Sequence, residues 1–227
     1  MKTLVIVAHP QLENSDVQPF FREAIANFSN VTWHPITNSF DVLEEQKLLI
    51  SHERIIFEFP LYWYSAPAVL KHWLDDVFTM KFTTGNRYAL AGKELGIVVS
   101  TGDKERSFRA GEEEQFTISE LMRPYQALAG KVRMHYLPVL AVHQFLYLTP
   151  DDQQRLMIRY QQYLTNPKFE HFSERSEWFQ QQLQERIRAN ATMAPELEQI
   201  LNVIQNNQDE LDDLQWNLTE LKKEEDS

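Results

Sequence analysis

Short apolar runs alternate with longer amphipathic stretches along the first 165 residues of the chain. The first run, residues 3–8, is rich in β-branched side chains and has no charged residue. This pattern is typical of a parallel strand that is buried on both faces. Four further strands are predicted at residues 31–36, 54–59, 94–100 and 132–140.

The stretches between these runs have the spacing of helices. Residues 68–78 place apolar side chains three and four positions apart, as on one face of a helix. Asp41 is a plausible cap before a helix at 42–51, and Pro150 suits the first turn of a helix that ends near 164. Strands and helices therefore alternate with short connections, which predicts an α/β domain with a doubly wound, five-stranded parallel sheet.

From residue 195 the pattern becomes a heptad repeat. Its seam positions are spaced alternately three and four residues apart: Leu197, Ile200, Ile204, Asn207, Leu211, Leu214, Leu218 and Leu221. A long helix that lies on the domain and a self-associating coiled coil both fit this repeat. We predict a domain over residues 1–190 and an acidic amphipathic helical tail, a possible coiled coil, over residues 191–227.

The charge of the chain is concentrated in this tail. The whole chain of 227 residues carries a net charge of −11. From Glu196 onward there are ten acidic and two basic residues, so the preceding 195 residues carry only −3. Neither part has the basic surface expected of a protein that binds nucleic acid. The nearly neutral domain is compatible with a phosphorylated ligand.

Composition excludes several other classes of site. The chain has no cysteine, which rules out disulfides, thiolate catalysis and Cys-ligated zinc or iron–sulfur centres. Its seven histidines form no H-E-x-x-H motif, so no metal site is predicted. The glycines match neither the G-x-G-x-x-G fingerprint nor the P-loop. No apolar run reaches the length of a membrane span, and we expect a cytoplasmic protein.

The most distinctive stretch is the aromatic segment at residues 60–67, Pro-Leu-Tyr-Trp-Tyr-Ser-Ala-Pro. Pro60 ends the preceding strand and Pro67 suits the first turn of the next helix. The segment is therefore a rigid loop at the carboxyl end of a strand, where open α/β sheets bind their ligands. Consecutive aromatic residues there favour a flat aromatic ligand. The alternative is that these rings only pack a helix onto the sheet.

Two other polar loops follow predicted strands. Residues 9–15 connect a strand to a helix, where free N–H groups and the helix dipole favour an anion. Ser15 and Gln18 match a capping box, and His9 is placed to face a phosphate; an ordinary cap and an ordinary loop histidine are the alternatives. The second loop follows Ser100, and its Gly102 permits close approach of the backbone to a ligand.

In their order and spacing, these segments resemble the flavodoxin-like NAD(P)H:quinone oxidoreductase family. The residues that carry the resemblance are Ala8-His9-Pro10 with Ser15, the segment at 60–67, and Thr101-Gly102 with Phe108. The resemblance covers residues 1 to about 165. It implies a flavodoxin-like sheet with strand order 2-1-3-4-5, to which this chain adds a C-terminal helical extension.

The resemblance also implies a flavin cofactor, with FMN favoured and FAD possible. The loop at 9–15 would hold the phosphate, residues 60–64 would line the isoalloxazine ring, and the loop at 101–108 would cover its other side. The implied cofactor-binding residues are His9, Ser15, Pro60, Leu61, Tyr62, Trp63, Tyr64, Ser100, Thr101, Gly102, Asp103 and Phe108. Asp103 stands where relatives often carry a second glycine, and Phe108 where some carry tyrosine.

The activity implied by the resemblance is hydride transfer from NADH or NADPH to the flavin, and from the flavin to a quinone or similar acceptor. Because the flavin carries this chemistry, no catalytic side chain is assigned. The resemblance further implies a homodimer. Some family members resemble ancillary subunits of transport systems, so a regulatory flavoprotein attached to a partner through its C-terminal helix is the alternative function.

Overall fold

The computed structural model describes residues 1–85, 88–190 and 192–225 and divides the chain into two compact units, Met1–Thr165 and Asn166–Ser227. The division falls after Thr165, whereas the sequence analysis placed the boundary at residue 190. Residues 172–189, which the sequence analysis assigned to the domain, form a helix that contacts the C-terminal helix. Residues 191, 226 and 227 of the predicted tail lie outside the described residues.

The first unit contains the parallel sheet. Its strands are β1 (Thr3–Val7), β2 (Val31–Pro35), β3 (Arg54–Pro60), β4 (Glu94–Thr101), β5 (His135–Tyr136) and β6 (Leu140–His143). They are ordered β2-β1-β3-β4-β5, and β6 also pairs with β4. All pairings within the described strands are parallel, which confirms the predicted fold and strand order.

The last strand position differs in detail from the prediction. The sequence suggested one strand over residues 132–140, but Val132 ends a helix and two short strands share the edge beside β4. Pro138 lies between β5 and β6, where its missing N–H interrupts the ladder. Leu137 N still donates to Leu95 O at 2.8 Å, so the chain keeps its direction across the break.

Seven helices accompany the sheet in the described part of the first unit. They are α1 (Val17–Ala24), α2 (Val42–Ser51), α3 (Ala68–Val77), α4 (Met80–Thr83), α5 (Ile118–Leu121), α6 (Arg123–Val132) and α7 (Pro150–Thr165). Asp41 caps α2 as predicted, because its carboxylate accepts from Leu43 N at 2.8 Å and Glu44 N at 3.2 Å.

The core lies against the two central strands. Every residue of β1 is buried, and β3 is buried up to Phe59. On one side Phe57 meets the edge of the buried Trp73 ring of α3, with ring centroids 6.1 Å apart. Complete burial of an aliphatic or phenyl side chain contributes about 1.5–3 kcal/mol, so these strands fix the sheet on which the loops are mounted.

The second unit is a pair of helices, α8 (Phe172–Ala189) and α9 (Ala194–Glu225). The two helices contact each other and are joined by a short connection. At the start of α8, His171 N donates to the Glu174 carboxylate at 3.1 Å. Among the residues that the structure describes, no helix is both long and apolar enough to cross a membrane.

Candidate functional site

A cavity of about 260 Å³ opens where the carboxyl ends of β1, β3, β4 and β6 meet. We call it the strand-end cavity. Its lining comprises His9, Asn14, Ser15, Asp16, Val17, Pro60, Leu61, Tyr62, Ser100, Thr101, Gly102, Gln144, Phe145, Leu146 and Tyr147. Parallel strands bring their carboxyl ends to one edge, and this edge is where open α/β sheets bind ligands.

The first wall of the cavity is the turn between β1 and α1. Gln11 N donates to Nδ1 of His9 at 3.2 Å, so the proton of the neutral imidazole is on Nε2, where it is able to donate to a ligand. Partial burial lowers the pKa of His9, and the nearby carboxylate of Glu13 opposes this shift.

Ser15 stands at the start of α1 and lines the same wall. Its Oγ accepts from Gln18 N at 3.2 Å, which leaves the hydroxyl proton for another partner. The predicted capping box is only half formed, because the Gln18 side chain is buried in the interior instead of returning to Ser15. The wall therefore combines an imidazole N–H, a hydroxyl and the positive end of a helix.

The second wall is the aromatic segment after β3. Pro60 is the last residue of that strand, and Leu61 N donates to Ser100 O at 2.7 Å. A tight turn follows in which Tyr62 and Ser65 exchange backbone hydrogen bonds of 2.9 and 3.0 Å. These two hydrogen bonds do not use the backbone N–H groups of the central residues, Trp63 and Tyr64.

The central residues of this turn are in an unusual conformation. Trp63 has φ 48° and Tyr64 has φ 63°, in the left-handed region that disfavours bulky side chains. The Trp63 side chain is 94% exposed and the Tyr64 side chain 51% exposed. Packing of a helix onto the sheet does not account for rings that are so exposed. Of the three aromatic residues, Tyr62 is the one that lines the strand-end cavity.

The third wall is the end of β4 and the loop after it. Ser100, Thr101 and Gly102 line the cavity as the sequence analysis expected. Asp103 and Phe108 are placed elsewhere: Asp103 N donates to Thr101 Oγ1 at 3.2 Å, and Phe108 is buried. Trp63, Tyr64, Asp103 and Phe108 are thus the four predicted residues that do not line the cavity.

His143 holds this loop in place. Its Nδ1 donates to Asp103 O at 3.3 Å, and its ring lies 5.7 Å from that of Phe108. Burial lowers the pKa of His143, and the carbonyl of Asp103 acts in the opposite direction. Phe108 and Asp103 therefore anchor the loop, while Thr101 and Gly102 meet the cavity.

A fourth wall, residues 144–147, was not predicted from the sequence, and neither were Asp16 and Val17. Gln144 N donates to Thr101 O at 2.9 Å, which fixes the start of this wall beside β4. The reasoning that identified the other loops applies here as well, because these residues directly follow β6. They were not identified because residues 132–140 were predicted as one strand, and β6 was not recognised as a separate strand.

A buried carboxyl lies behind the cavity, two residues before Pro60. Glu58 is surrounded by protein, and Tyr160 Oη donates to its Oε2 at 2.6 Å. Burial raises the pKa of Glu58 to about 7, while the polar groups of Tyr160, Trp33 and Gln18 act in the opposite direction. Its Oε1 nevertheless has no partner at hydrogen-bonding geometry. The sequence signal was one carboxylate among the apolar residues at 55–59.

Comparison with known proteins gives the context of this arrangement. The family model Flavodoxin_2, described as a flavodoxin-like fold, matches residues 1–165. The NAD(P)H oxidoreductase YrkL of Bacillus subtilis (strain 168) is 42% identical over 170 residues, covering 72% of this chain and 98% of that protein. The potassium-efflux ancillary protein KefG of Pectobacterium atrosepticum is 33% identical over 172 residues, covering 73% and 94%.

Two solved structures also match this chain. The crystal structure of an NADPH-quinone reductase from P. pentosaceus matches with a TM-score of 0.73 and 66% identity, over 74% of this chain and 100% of that one. General stress protein 14 from Treponema denticola, solved in complex with FMN, matches with a TM-score of 0.64 and 29% identity, over 72% and 95%. Given the family match over residues 1–165 and these relatives, the chain belongs to the Flavodoxin_2 family of proteins with a flavodoxin-like fold.

Proposed function

We propose that this protein is an NAD(P)H-dependent oxidoreductase that binds FMN in the strand-end cavity and reduces a quinone or a similar acceptor. The observation that carries the proposal is the convergence of three loops on one sheet edge, with anion-binding groups at one end and an aromatic turn at the other. The similarity to an NADPH-quinone reductase and to an FMN complex supports the same function.

The residues of the first wall fit a phosphate. His9 Nε2–H and the Ser15 hydroxyl are donors, and the first turn of α1 adds backbone N–H groups and its dipole. Asp16 also lines the cavity, but it is exposed to solvent, which screens its charge. A singly phosphorylated flavin suits this wall, and we therefore favour FMN over FAD.

The opposite end of the cavity fits a flat, polar-edged ring. The turn at Tyr62–Ser65 uses its own residues for its hydrogen bonds and leaves the amides of Trp63 and Tyr64 as donors for the ring edge. Gly102 has no heavy atom near its would-be Cβ, so the backbone presents an open approach at the facing loop. Tyr62 contributes an aromatic surface between these two loops.

The reaction follows from these roles. When bound, FMN supplies the redox chemistry, accepting hydride from the nicotinamide and passing reducing equivalents to the acceptor. The chain binds the phosphate, orients the ring with rigid strand-end backbone, and leaves one side open to NAD(P)H and the acceptor. His143 and Phe108 stabilise the loop after β4, so they position Thr101 and Gly102 without contacting the cofactor themselves.

A second candidate is a regulatory flavoprotein. It is favoured by the similarity to KefG, which is an ancillary protein of a potassium-efflux system, and by the helical unit that follows the family match. Such a subunit binds FMN but does not sustain turnover with a soluble quinone. Turnover therefore separates the two candidates.

The experiment is a steady-state assay of the full chain with FMN. We expect oxidation of NADH or NADPH that depends on both the protein and an added quinone, and that exceeds the rate with the same concentration of free FMN. If FMN binds but neither nicotinamide is oxidised above that background, the regulatory candidate replaces the enzymatic one. If FMN does not bind, both candidates fail.

A further inference from the structure

The C-terminal helix extends well beyond its neighbour. With a rise of 1.5 Å per residue, α8 with 18 residues is ~27 Å long and α9 with 32 residues is ~48 Å long. Since a short connection joins the two, α8 can accompany α9 only as far as about residue 211. The remainder of α9 has no second helix of this unit along it.

One stripe of α9 stays exposed over almost its whole length. It contains apolar side chains and one asparagine at helical spacing: Ile200, Val203, Asn207, Leu211, Leu214, Leu218 and Leu221. Residues on the adjacent face, Leu197, Leu201 and Ile204, are half-buried in the region that α8 accompanies. The stripe is therefore distinct from the face that packs within the helical pair. A helix of this composition depends on packing of its apolar face for most of its stability.

The chemistry of the stripe argues against a membrane or a charged partner. Helices that lie on membranes carry Lys and Arg on the polar face, whereas this helix is acidic. In heptad terms Leu211 and Leu218 are a positions, and Leu214 and Leu221 are d positions. Within the stripe, the e positions Leu201, Gln208 and Gln215 are uncharged, so they offer no complement to an oppositely charged helix.

These same features suit a second copy of the chain. Glu198, Asp209 and Asp213 lie at b, f and c positions, away from the seam, so pairing two acidic helices does not bring these charges together. In a parallel pair Glu210, at a g position, faces the uncharged Gln215 of the second copy. The parallel arrangement also places Asn207 opposite its own copy, where the two amides can hydrogen-bond. An antiparallel pair centred on the stripe would instead set Asn207 against a leucine.

We propose that the part of the stripe from Asn207 to Leu221 is a parallel coiled-coil seam through which two copies of this chain associate. Asn207 sets the register and Leu211, Leu214, Leu218 and Leu221 supply the apolar layers. The proposal does not rest on the flavin site, because every residue that carries it is in α9.

Introduced cysteines test the seam directly, since the chain has no cysteine of its own. Leu214→Cys places a thiol in a d layer, and Trp216→Cys places one on the opposite face of the same helix, equally exposed to solvent. Both full-length variants are treated with oxidised glutathione at micromolar concentration. Two thiols held in one layer have an effective concentration near the millimolar range, so disulfide-linked dimer should form at least ~10-fold faster with Leu214→Cys.

Equal rates for the two variants, whether fast or slow, would overturn the proposal. Circular dichroism of both variants checks that helix content is retained. Wild-type chain and Leu214→Asp are then compared by sedimentation. The substitution should weaken self-association without loss of helical signal, and unchanged association would also count against the seam, because an aspartate cannot be accommodated in a d layer.

Discussion

Tyr160 donates a 2.6 Å hydrogen bond to the carboxyl group of Glu58, and both side chains are buried. The bond joins α7 to β3 across 102 positions of sequence. Tyr160 also stacks on Phe21 of α1, with ring centroids 4.2 Å apart. The carboxyl end of β3, from which the aromatic segment departs, is thus tied to the two helices that cover one face of the sheet.

Glu58 gives the domain a pH-dependent stability. Folding raises the pKa of this carboxyl from its ordinary value of 4.5 to about 7. The native state therefore binds more protons than the unfolded state in this window, and the contribution of Glu58 to stability falls as pH rises from 4.5 to 7, then levels off. The total change is on the order of 3 kcal/mol.

The variant Glu58→Gln removes this titration while keeping an acceptor for Tyr160. The free energy of unfolding of the variant, relative to wild type, should rise by about 2–3 kcal/mol between pH 5 and pH 8. Urea unfolding at several pH values measures it. Other carboxyl groups are present in both proteins and cancel in the difference. A constant difference across this range would show that Glu58 does not titrate there.

Gly96, the third residue of β4, is required by close packing. A Cβ at this position would lie 2.5 Å from Tyr163 Oη and 2.6 Å from Ile56 Cδ1. Tyr163 is held there because its hydroxyl oxygen accepts from Ile97 N at 3.0 Å. We expect Gly96→Ala to lower the free energy of unfolding by about 1–3 kcal/mol through overpacking.

Gly130→Ala is the matched control for that substitution. Gly130 lies in α6, and its added Cβ would meet no heavy atom within 4 Å. Because alanine favours a helix over glycine, this variant should be more stable by about 0.5–1 kcal/mol. Denaturant unfolding of both variants checks the pair. Equal effects would mean that the packing at Gly96 is not what excludes a side chain.

The phosphate role of Ser15 predicts a selective loss of affinity. Ser15→Ala removes a donor from the first wall of the strand-end cavity and should weaken FMN binding by about tenfold, the effect of a hydrogen bond to a charged group. Riboflavin lacks the phosphate, so its affinity should change little. Fluorescence titration with both flavins measures the difference, and an equal loss for both would place Ser15 away from the phosphate.

Asp41→Ala separates this effect from the loss of a helix cap. Asp41 caps α2 through two backbone N–H groups but is not part of the cavity lining. Both substitutions should destabilise the fold by about 1 kcal/mol, whereas only Ser15→Ala should alter FMN affinity. A comparable loss of FMN affinity in Asp41→Ala would attribute the Ser15 result to folding.

Much of the fold could be predicted because it depends on local patterns. Buried parallel strands are read from continuous apolar runs, and the positions of Pro60 and Asp41 mark element ends that the structure confirms. The loops at 9–15, 60–67 and 100–108 were predicted to share one edge because parallel strands end together, and part of each lines the strand-end cavity. The family resemblance over residues 1–165 is likewise confirmed.

What the sequence did not reveal depends on contacts between distant residues. Glu58 was visible as a carboxylate in an apolar run, but its partner Tyr160 lies 102 positions away. Likewise, no local pattern distinguishes Phe108, which is buried, from Trp63, which is almost fully exposed. Burial of an aromatic ring is decided by which segments pass over it, and those segments are set by the tertiary fold.

The visible absorption spectrum of the purified full chain, recorded after incubation with FMN and removal of free ligand, tests the central claim most directly. We expect a yellow protein that retains FMN in a near-stoichiometric amount and is bleached by NADH or NADPH under anaerobic conditions. A colourless protein that retains no FMN would contradict it.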